Sequence, residues 1–489
     1  MTPLTSSATA SSVPVACRRS VGPWTNRSVT LPISPPGAHA PLRLDRFCQS
    51  ASPASKGRMA AVTGTLRHTG GMSGPPTPSR SPLRALAIAT FCIYFGYGLV
   101  TPILPLFARA LGAGPALAGL IVAGFGLASF SLDLSGGRLS GVIGARRTAA
   151  LGAGMVAFAS LLAALAPNVW VLLLSRLVTG AGSAVYVTTA LTLIARTTAP
   201  ERMGRAMSVY QGAILLATAI GPAVGGALAG GAGFRLPFLI YAGIGLATAG
   251  IAMRRLPDLP RSRAAPGWDM REALPALPGP GASTTAPPFA LVLRDGAFLT
   301  ALGVAFVVFI LRAGVNATAV PLYAHDVLGL GRGATGLALS VSAFSNFFFL
   351  PHAGWLADRR PRAAPIIAGL AAALITLALL GLWQSVAGLY AAMVVLGVAT
   401  AYAGVAPAAV ITDVTPTMHS ATAMGAYRMA VDLGSVTGPL AAGVLFDWLG
   451  VARAFLLMAV PAALMLAAAL RLRDTRACRG RSDRAADRR

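Results

Sequence analysis

The sequence predicts an all-α membrane protein with twelve transmembrane helices in two pseudo-symmetric six-helix bundles. Three observations carry this prediction: the composition, a series of apolar runs long enough to cross a bilayer, and an internal repeat. Of the 489 residues, 55% are hydrophobic and only 11% are charged, whereas a soluble domain carries about 25% charged residues. This composition excludes a soluble globule and excludes disorder as the main state of the chain.

Apolar runs of about 20 residues follow residue 84, and a run of that length spans a bilayer as a helix. We predict twelve spans, at residues 85–107, 115–136, 148–166, 168–190, 206–229, 234–253, 297–323, 333–353, 363–383, 386–410, 420–446 and 452–470. The longest polar joint, 254–294, contains Pro-Gly-Pro-Gly and divides six spans from six. It is therefore predicted to be a cytoplasmic linker between an N-terminal bundle, 81–253, and a C-terminal bundle, 295–471.

Polar segments flank the two bundles. Residues 1–80 are rich in Ser, Pro, Ala and Arg, so we expect a disordered extension that cannot bury a core. We favour an upstream extension of the reading frame, with the start near Met72; the alternative is an organellar transit peptide, for which an Arg- and Ser-rich, acid-poor N-terminus is typical. Residues 472–489 are expected to form a disordered basic tail.

The positions of the arginines explain the formal net charge of +25. If the N-terminus is cytoplasmic, most arginines in the joints also face the cytoplasm, and the outer joints carry only Arg109, Arg235, Arg332 and Arg453. Because basic residues concentrate in cytoplasmic loops, we predict a multi-pass protein of the cell (inner) membrane with both termini cytoplasmic. Anionic lipid, rather than nucleic acid, is the expected neighbour of this charge, and we expect a monomer.

No metal or cofactor site is expected from the sequence. The four cysteines, Cys17, Cys48, Cys92 and Cys478, show neither metal-ligand nor disulfide spacing. The sequence has no Gly-Lys-Ser/Thr phosphate loop and no nucleophile constellation. We therefore expect no enzymatic activity.

The two halves resemble each other at a separation of 217 residues. Gly221-Pro222 matches Gly438-Pro439, and the loop that begins at Gly137 matches the loop that begins at Gly354. Each match falls at the equivalent place in the spans, which indicates a duplicated six-helix unit. An even number of spans in each half gives the two copies the same orientation, with a central site between them.

The loop after the eighth span resembles a motif of the major facilitator superfamily, Gly-x-Leu-Ala-Asp-Arg-x-Gly-Arg. It reads Gly354-Trp-Leu-Ala-Asp358-Arg359-Arg-Pro-Arg362 and so keeps the acid and both arginines. The resemblance covers about residues 84–471 and implies the major facilitator fold and secondary transport by alternating access. An acid with arginines at a helix end can cap a neighbouring helix and latch one conformation; the alternative is that these arginines only fix the topology.

The first copy of this loop departs from the family motif. It keeps Gly137, Gly144 and Arg146 but has lost the acid and the arginine after it. We therefore expect a weaker latch in the N-terminal half.

The fourth and fifth spans also resemble family motifs. Leu174-Ser-Arg176-Leu-Val-Thr-Gly180 is similar to the fourth-span motif, whose arginine the family uses near its proton path; the alternative is an arginine that snorkels to the interface. The fifth span resembles that of the twelve-span drug:proton antiporters through Gly212, Gly221, Pro222, Gly225 and Gly226. Proline kinks a helix and glycine permits close helix approach, so the alternative is ordinary packing of small residues.

Charged residues inside apolar spans are costly and therefore informative. Arg312 lies in span seven, Arg428 and Asp432 lie four residues apart in span eleven, and Asp133 lies toward the cytoplasmic end of span two. Because arginine does not deprotonate in proteins, any transported proton is expected on Asp432, with Arg428 or Arg312 holding the carboxylate ionised. The alternative is a static charge pair that stabilises the C-terminal half.

A cavity for small apolar or amphipathic solutes is expected near five polar or aromatic side chains, Tyr94, Tyr97, Asn316, Asn346 and Tyr402. The sequence thus favours proton-coupled efflux of small molecules. A facilitator or proton symporter for a polar metabolite, and a non-transporting membrane sensor, remain as alternatives.

Overall fold

The computed structural model describes residues 81–258, 292, 295–415, 419–472 and 475. For four short stretches it describes only the backbone, namely 81–82, 133–142, 200 and 420–421. All regular elements in the described part of the chain are helical. Twelve of these helices are long and apolar enough to cross a membrane, which confirms the predicted number of spans.

We number the membrane-crossing helices α1 to α12 in chain order: Ser81–Val100, Pro115–Ile143, Ala145–Ala164, Val169–Thr197, Met203–Ala232, Arg235–Arg255, Gly296–Asp326, Arg332–Arg359, Ala363–Leu382, Val386–Val414, Ser420–Leu449 and Val451–Leu470. Several extend past the predicted spans, as α4 does by running to Thr197. The reason is that hydropathy detects only the part of a helix that lies in hydrocarbon.

The first span is broken, although the sequence predicted one continuous run over 85–107. After α1 the chain turns at residues 101–103 and continues as a short helix, Leu104–Ala110. Pro102 lies in this turn. A proline lacks the backbone N–H and disfavours helical geometry in the residue before it, which accounts for the break.

Polar caps and glycines fix several helix ends. The side chains of Asn168, Asp295 and Ser385 accept hydrogen bonds from the first turns of α4, α7 and α10, a common way to satisfy the free N–H groups there. Gly144 and Gly450 have φ of 91° and 73°, values that favour glycine. Each of these two glycines joins two successive helices by a single residue, which reverses the chain direction.

The helices form two bundles, α1–α6 and α7–α12, and each encloses its own apolar core. Two helix pairs join the bundles: α2 packs against α11, and α5 packs against α8. In the internal repeat α2 corresponds to α8 and α5 to α11, so the two pairs are equivalent. This arrangement confirms the predicted pseudo-symmetric fold.

The bundles touch on one side of the molecule. We call the side where α1 begins and α12 ends the termini side, and the opposite side the far side. On the far side, a Cβ on Gly226 of α5 would lie 2.5 Å from the carbonyl oxygen of Arg332, at the start of α8. A Cβ on Gly443 of α11 would lie 2.4 Å from the carbonyl oxygen of Pro115 in α2. Helix backbones are therefore in direct contact there.

On the termini side the same helix faces are separated. Gly212 lies about four turns along α5 from Gly226, and Gly425 about five turns along α11 from Gly443, so each pair shares a face. Nothing lies within 4 Å of the Cβ position of Gly212, Gly425 or Gly354 of α8. The bundles thus close on the far side and diverge toward the termini side.

The middle of α7 is a π-helix, Ile310–Ala319. Such segments are rare in proteins, and those that occur often lie at functional sites. This one lies against α11, since a Cβ on Gly314 would be 2.6 Å from the carbonyl oxygen of Gly438. It carries Arg312 and Asn316, the two polar residues that the sequence singles out in this span.

Candidate functional site

A cavity of about 420 Å³ lies between the bundles, halfway along the helices. Its walls come from α1, α2, α4, α5 and α6 on one side and from α7, α8, α10 and α11 on the other. Sites for small molecules typically have volumes of about 300–1,000 Å³. The cavity lies where the bundles begin to diverge, so its size and place suit a small solute.

Four of the five side chains expected at a cavity line this one: Tyr94, Tyr97, Asn316 and Asn346. Tyr97 packs against Phe125, with ring centroids 5.1 Å apart. The wall therefore combines aromatic surface with amide groups. This combination suits a molecule that is apolar over most of its surface and polar at one end.

Tyr402 is not among the residues that line the cavity. Its hydroxyl hydrogen bonds with the ring of His352 of α8. The reason that sequence reasoning placed it in the cavity is that α10 is apolar on all faces, so no periodicity shows which face points inward.

Arg428 and Asp432 form an ion pair on the cavity wall. The Nε atom of Arg428 lies 3.2 Å from Oδ2 of Asp432, one helical turn away on α11. The Asp432 side chain is 8% exposed and the Arg428 side chain 52% exposed. The carboxylate can take up a proton at the cavity, whereas the guanidinium keeps its charge.

Arg312 also lines the cavity, but no carboxylate in the described residues forms an ion pair with it. Its guanidinium carbon lies 5.7 Å from the ring centroid of Phe309. The sequence left open whether Arg428 or Arg312 holds Asp432. The structure pairs Asp432 with Arg428.

Arg176 lies behind the cavity wall in α4 and is 4% exposed. Its guanidinium carbon lies 5.5 Å from the ring centroid of Phe125, and Tyr97 and Tyr241 are its electrostatic neighbours. Its Nε is buried and has no hydrogen-bond partner within the described chain. A buried arginine backed by three aromatic residues of the wall is not a snorkelling arginine.

The Gly-Pro motif of α5 packs on two helices at once. A Cβ on Gly225 would meet the carbonyl oxygen of Leu99 in α1, and a Cβ on Gly221 would lie 2.8 Å from the Cα of Gly98. The neighbouring Gly226 faces α8 of the other bundle, and Pro222 lines the cavity. The motif therefore allows close packing within the first bundle and across the bundle interface.

The repeat of this motif in α11 makes equivalent contacts. A Cβ on Gly438 would lie 2.9 Å from the Cα of Ile310 in α7. The carbonyl oxygen of Pro439 faces Gly119 of α2, across the bundle interface. Both copies thus bind the first helix of their own bundle and one helix of the other.

Arg362 is the centre of a charged cluster on the termini side. Its Nη1 lies 3.4 Å from the Asp358 carboxylate and donates to the carbonyl oxygen of Ala357 at 2.8 Å. Its Nε donates to the buried carboxylate of Asp413 at 3.2 Å. All four residues belong to the second bundle, so here the cluster ties α8, α9 and α10 together rather than joining the bundles. Arg359 lies beside it and stacks on Trp355, at 5.1 Å from the ring centroid.

Replacing Arg362 by Gln is expected to lower the free energy of unfolding by about 3 kcal/mol, because it removes a cation that lies beside a buried carboxylate. The Asp413 side chain is only 1% exposed. Thermal unfolding of the purified protein in detergent measures the effect, and Arg360→Gln, on an exposed neighbour, is the matched control. Adding Asp413→Asn to the Arg362→Gln protein should restore much of the loss. An unchanged melting temperature for Arg362→Gln would contradict this.

The corresponding loop of the first bundle is built differently. The Nε of Arg146 donates to the carbonyl oxygen of Leu256, at the end of α6, at 2.8 Å, a favourable place for a cation. A Cβ on Gly144 would lie 2.7 Å from a carboxylate oxygen of Asp258. For two further predicted residues of this region, Asp133 and Gly137, the structure describes only the backbone.

An ion pair and a cation–π contact join the bundles on the far side. Arg109, after α1, pairs with Asp326 at the end of α7, with 3.4 Å between Nη2 and Oδ2. Arg332 of α8 donates to the carbonyl oxygen of Ala229 at 2.9 Å, and its guanidinium carbon lies 3.8 Å from the ring centroid of Phe234. From the sequence, both arginines were interpreted only as indicators of membrane topology. In the structure they also join the two bundles.

A carboxylate of one bundle caps a helix of the other. The Oδ2 of Asp447, near the end of α11, accepts the backbone N–H of Ala116 in the first turn of α2, at 2.9 Å. An acid at a helix N-terminus is stabilising. Sequence reasoning missed Asp447 and Asp413. These two residues could have been found from the sequence, because the chain has only 15 acidic residues. An acid in or near an apolar span is costly and so indicates a partner or a function.

The fold and the cavity define a multi-pass membrane protein with a solute-sized site between two six-helix halves. Two regions, residues 86–333 and 302–487, match the Major Facilitator Superfamily. The chain therefore belongs to the major facilitator superfamily and is a transporter of that family.

Relatives differ in how much of the chain they match. The chain is 24% identical over 373 residues to an uncharacterized MFS-type transporter of Methanocaldococcus jannaschii, covering 76% of this chain and 93% of the relative. It is 28% identical over 156 residues to the quinolone resistance protein NorA of Staphylococcus aureus, covering 32% of this chain and 40% of NorA. The crystal structure of the nucleoside transporter NupG superimposes with a TM-score of 0.64 at 16% identity, covering 79% of this chain and 98% of NupG. At that identity the structural likeness concerns the fold.

Proposed function

We propose that the chain exports small amphipathic molecules in exchange for protons by alternating access. The bundles meet on the far side and diverge on the termini side, around a cavity of about 420 Å³. With the termini in the cytoplasm, this arrangement is an inward-facing state that loads solute from the cell. Export follows when the contacts on the far side open and the termini side closes.

The observation that carries the proposal is the pair of Arg428 and Asp432 on the cavity wall, 3.2 Å apart. A carboxylate inside a membrane is costly, and the few that occur are usually paired and lie on the pathway of an ion or a substrate. Asp432 can bind a proton from one side and release it to the other as the bundles rock. The likeness over 156 residues to NorA, a protein named for quinolone resistance, supports export, because a cell that exports a compound resists it.

Transport by the purified protein in proteoliposomes tests the proposal. With an acidic lumen, protons leave the vesicle, and an exchanger drives amphipathic probes such as a quinolone inward. We expect probe accumulation that collapses when a protonophore removes the gradient. Flux that is equal with and without the gradient, or no flux of any probe, would overturn proton-coupled export.

Proton symport of a polar solute is the second candidate, and it is favoured by the amides on the cavity wall, Gln211, Asn316 and Asn346. The same vesicles separate the two functions. A symporter accumulates solute only when the outside is acidic, whereas the proposed exporter requires an acidic lumen.

The proposed orientation in the cell membrane is testable by labelling intact cells. Arg453 at the start of α12 and Arg254 at the end of α6 are both exposed and lie on opposite sides. In a protein with Ser in place of its cysteines, we expect an impermeant thiol reagent to label Arg453→Cys but not Arg254→Cys until the cells are broken. Labelling of Arg254→Cys alone would show that the orientation is the reverse of the proposed one, so that the open termini side faces the outside of the cell.

We further propose that the protein is a monomer, with anionic lipid at its cytoplasmic face.

A further inference from the structure

We propose that Arg312 of the π segment binds the acidic group of an amphipathic organic anion, such as an aryl carboxylate, and that Asn316 accepts a hydrogen bond from a donor group beside that acid. This inference rests on the proposed function, because it specifies the kind of solute that the exporter carries. It follows from the charges on the cavity wall, from the geometry of the π segment and from the apolar surface opposite.

Among its described residues, the cavity wall carries more positive than negative charge. Its charged side chains among the described residues are Arg312, Arg428 and Asp432. Asp432 lies 3.2 Å from Arg428, so the carboxylate among these described side chains already has a guanidinium beside it. Arg312 then contributes a positive charge for which the described part of the chain supplies no carboxylate. A solute with a negative charge completes this balance.

The chemistry of Arg312 selects the kind of anion. A guanidinium stays charged in a protein, and an uncompensated charge at low dielectric is costly. Its planar fork of N–H donors matches the two oxygens of a carboxylate. The Phe309 ring, 5.7 Å from the guanidinium carbon, stabilises the cation without neutralising it. Among anionic groups, a carboxylate is therefore expected to form a strong, two-pronged hydrogen-bonded pair with Arg312.

Asn316 places a second polar group beside the first. It lies four residues after Arg312, on the same face of the π segment, and both line the cavity. Its Oδ1 is buried and has no hydrogen-bond partner among the described residues. A buried acceptor without a donor is costly, so a solute with a hydroxyl or N–H group near its acid satisfies both side chains.

The rest of the wall is suited to an apolar body. Tyr97, Phe125, Ile214, Leu215, Leu339 and Val431 line the same cavity. A solute with an acid at one end and an aromatic or aliphatic body thus meets matching surface at each end. A simple inorganic anion would leave this apolar surface unused.

Binding of matched probes to the purified protein in detergent tests the inference. The probes are pyrenebutyrate, its neutral amide and the corresponding amine, together with the same three forms of a naphthyl compound. We expect saturable binding of the carboxylates about 10- to 100-fold tighter than that of the amides, the usual range for a hydrogen bond to a charged group. Tighter or equal binding of the amines or amides would overturn the proposal, and so would the absence of saturable carboxylate binding.

Variants identify the residues. Arg312→Gln should remove the preference for carboxylates, whereas Arg453→Gln, an exposed arginine on the far side, should keep it. Arg312→Lys retains the charge and the fold but lacks the fork, so it should give an intermediate preference. Asn316→Asp should weaken carboxylate binding by repulsion. An unchanged carboxylate preference in Arg312→Gln would overturn the assignment.

The two proposals fail separately. Binding in detergent involves no gradient, so a loss of proton coupling in vesicles would leave the anion preference intact. A preference for amines would overturn the anion site and leave proton-driven export of other solutes standing.

Discussion

Replacing Asp432 by Asn is expected to abolish proton-driven accumulation. With an imposed gradient of two pH units, a one-proton exchanger can build a concentration ratio of about 100, since each factor of ten corresponds to about 1.4 kcal/mol. An amide does not carry the proton, and neither Arg428 nor Arg312 can replace it, because arginine stays protonated. The variant protein should therefore equilibrate its probe to a ratio of about one. Proteoliposomes with an acidic lumen measure this ratio.

Glu201→Gln is the matched control for this experiment. It also removes a carboxylate, but from an exposed turn between α4 and α5, and full accumulation is expected. The competing interpretation is that Asp432 only stabilises the second bundle through Arg428. In that case the Asp432→Asn protein would melt at a lower temperature but still accumulate probe against the gradient, and proton coupling through Asp432 would be wrong.

Valine at two glycines of the same helix face is expected to shift the conformation in opposite directions. A Cβ on Gly226 would lie 2.5 Å from the carbonyl oxygen of Arg332, so Gly226→Val should open the far side. Overpacking costs about 1–3 kcal/mol, which lowers the population of the far-side-closed state about 5- to 150-fold. Gly212 has nothing within 4 Å of its Cβ position, so Gly212→Val fits the state in which the termini side is open. The added side chain should instead hinder closure of the termini side.

Distances between spin labels across the far side measure these shifts. Trp170 in α4 and Trp448 in α11 are 63% and 81% exposed, so Cys at these positions carries the labels without disturbing a core. Gly226→Val should lengthen this distance, and Gly212→Val should favour the short one. Gly154→Val, at a glycine of α3 with open space around it, is the control. Identical distance distributions for the three proteins would contradict a rocking motion about these helices.

The twelve spans and their duplication were predictable because membrane burial leaves strong signals in sequence. About 20 apolar residues are needed to cross a bilayer, and a duplicated bundle keeps its Gly-Pro pairs at one separation. That Arg428 and Asp432 share one helix face was also predictable, since they are four residues apart. Which of the two arginines pairs with Asp432 followed only from the structure.

Features set by packing were not predictable. The π segment Ile310–Ala319 is more polar than the part of α7 before it, because it carries Arg312 and Asn316. Polar residues also occur in ordinary α-helices, so this composition does not reveal the π geometry. The place of Tyr402 depends on the rotation of α10, a helix without a polar face. Asp413 and Asp447 find partners in other helices, one of them in the other bundle, and such partners follow only from the tertiary arrangement.

The glycine contacts on the far side have a consequence for the membrane as an electrical insulator. At Gly119, Gly226, Gly336 and Gly443 the facing backbone lies so close that a single methyl group would lie 2.3–2.5 Å from a carbonyl oxygen. A seam too narrow for a methyl group does not admit a file of water molecules, along which protons would otherwise hop. On the proposed mechanism, a cell whose membrane holds many copies in this state therefore keeps its proton gradient while the cavity fills, and uses that gradient only when solute moves.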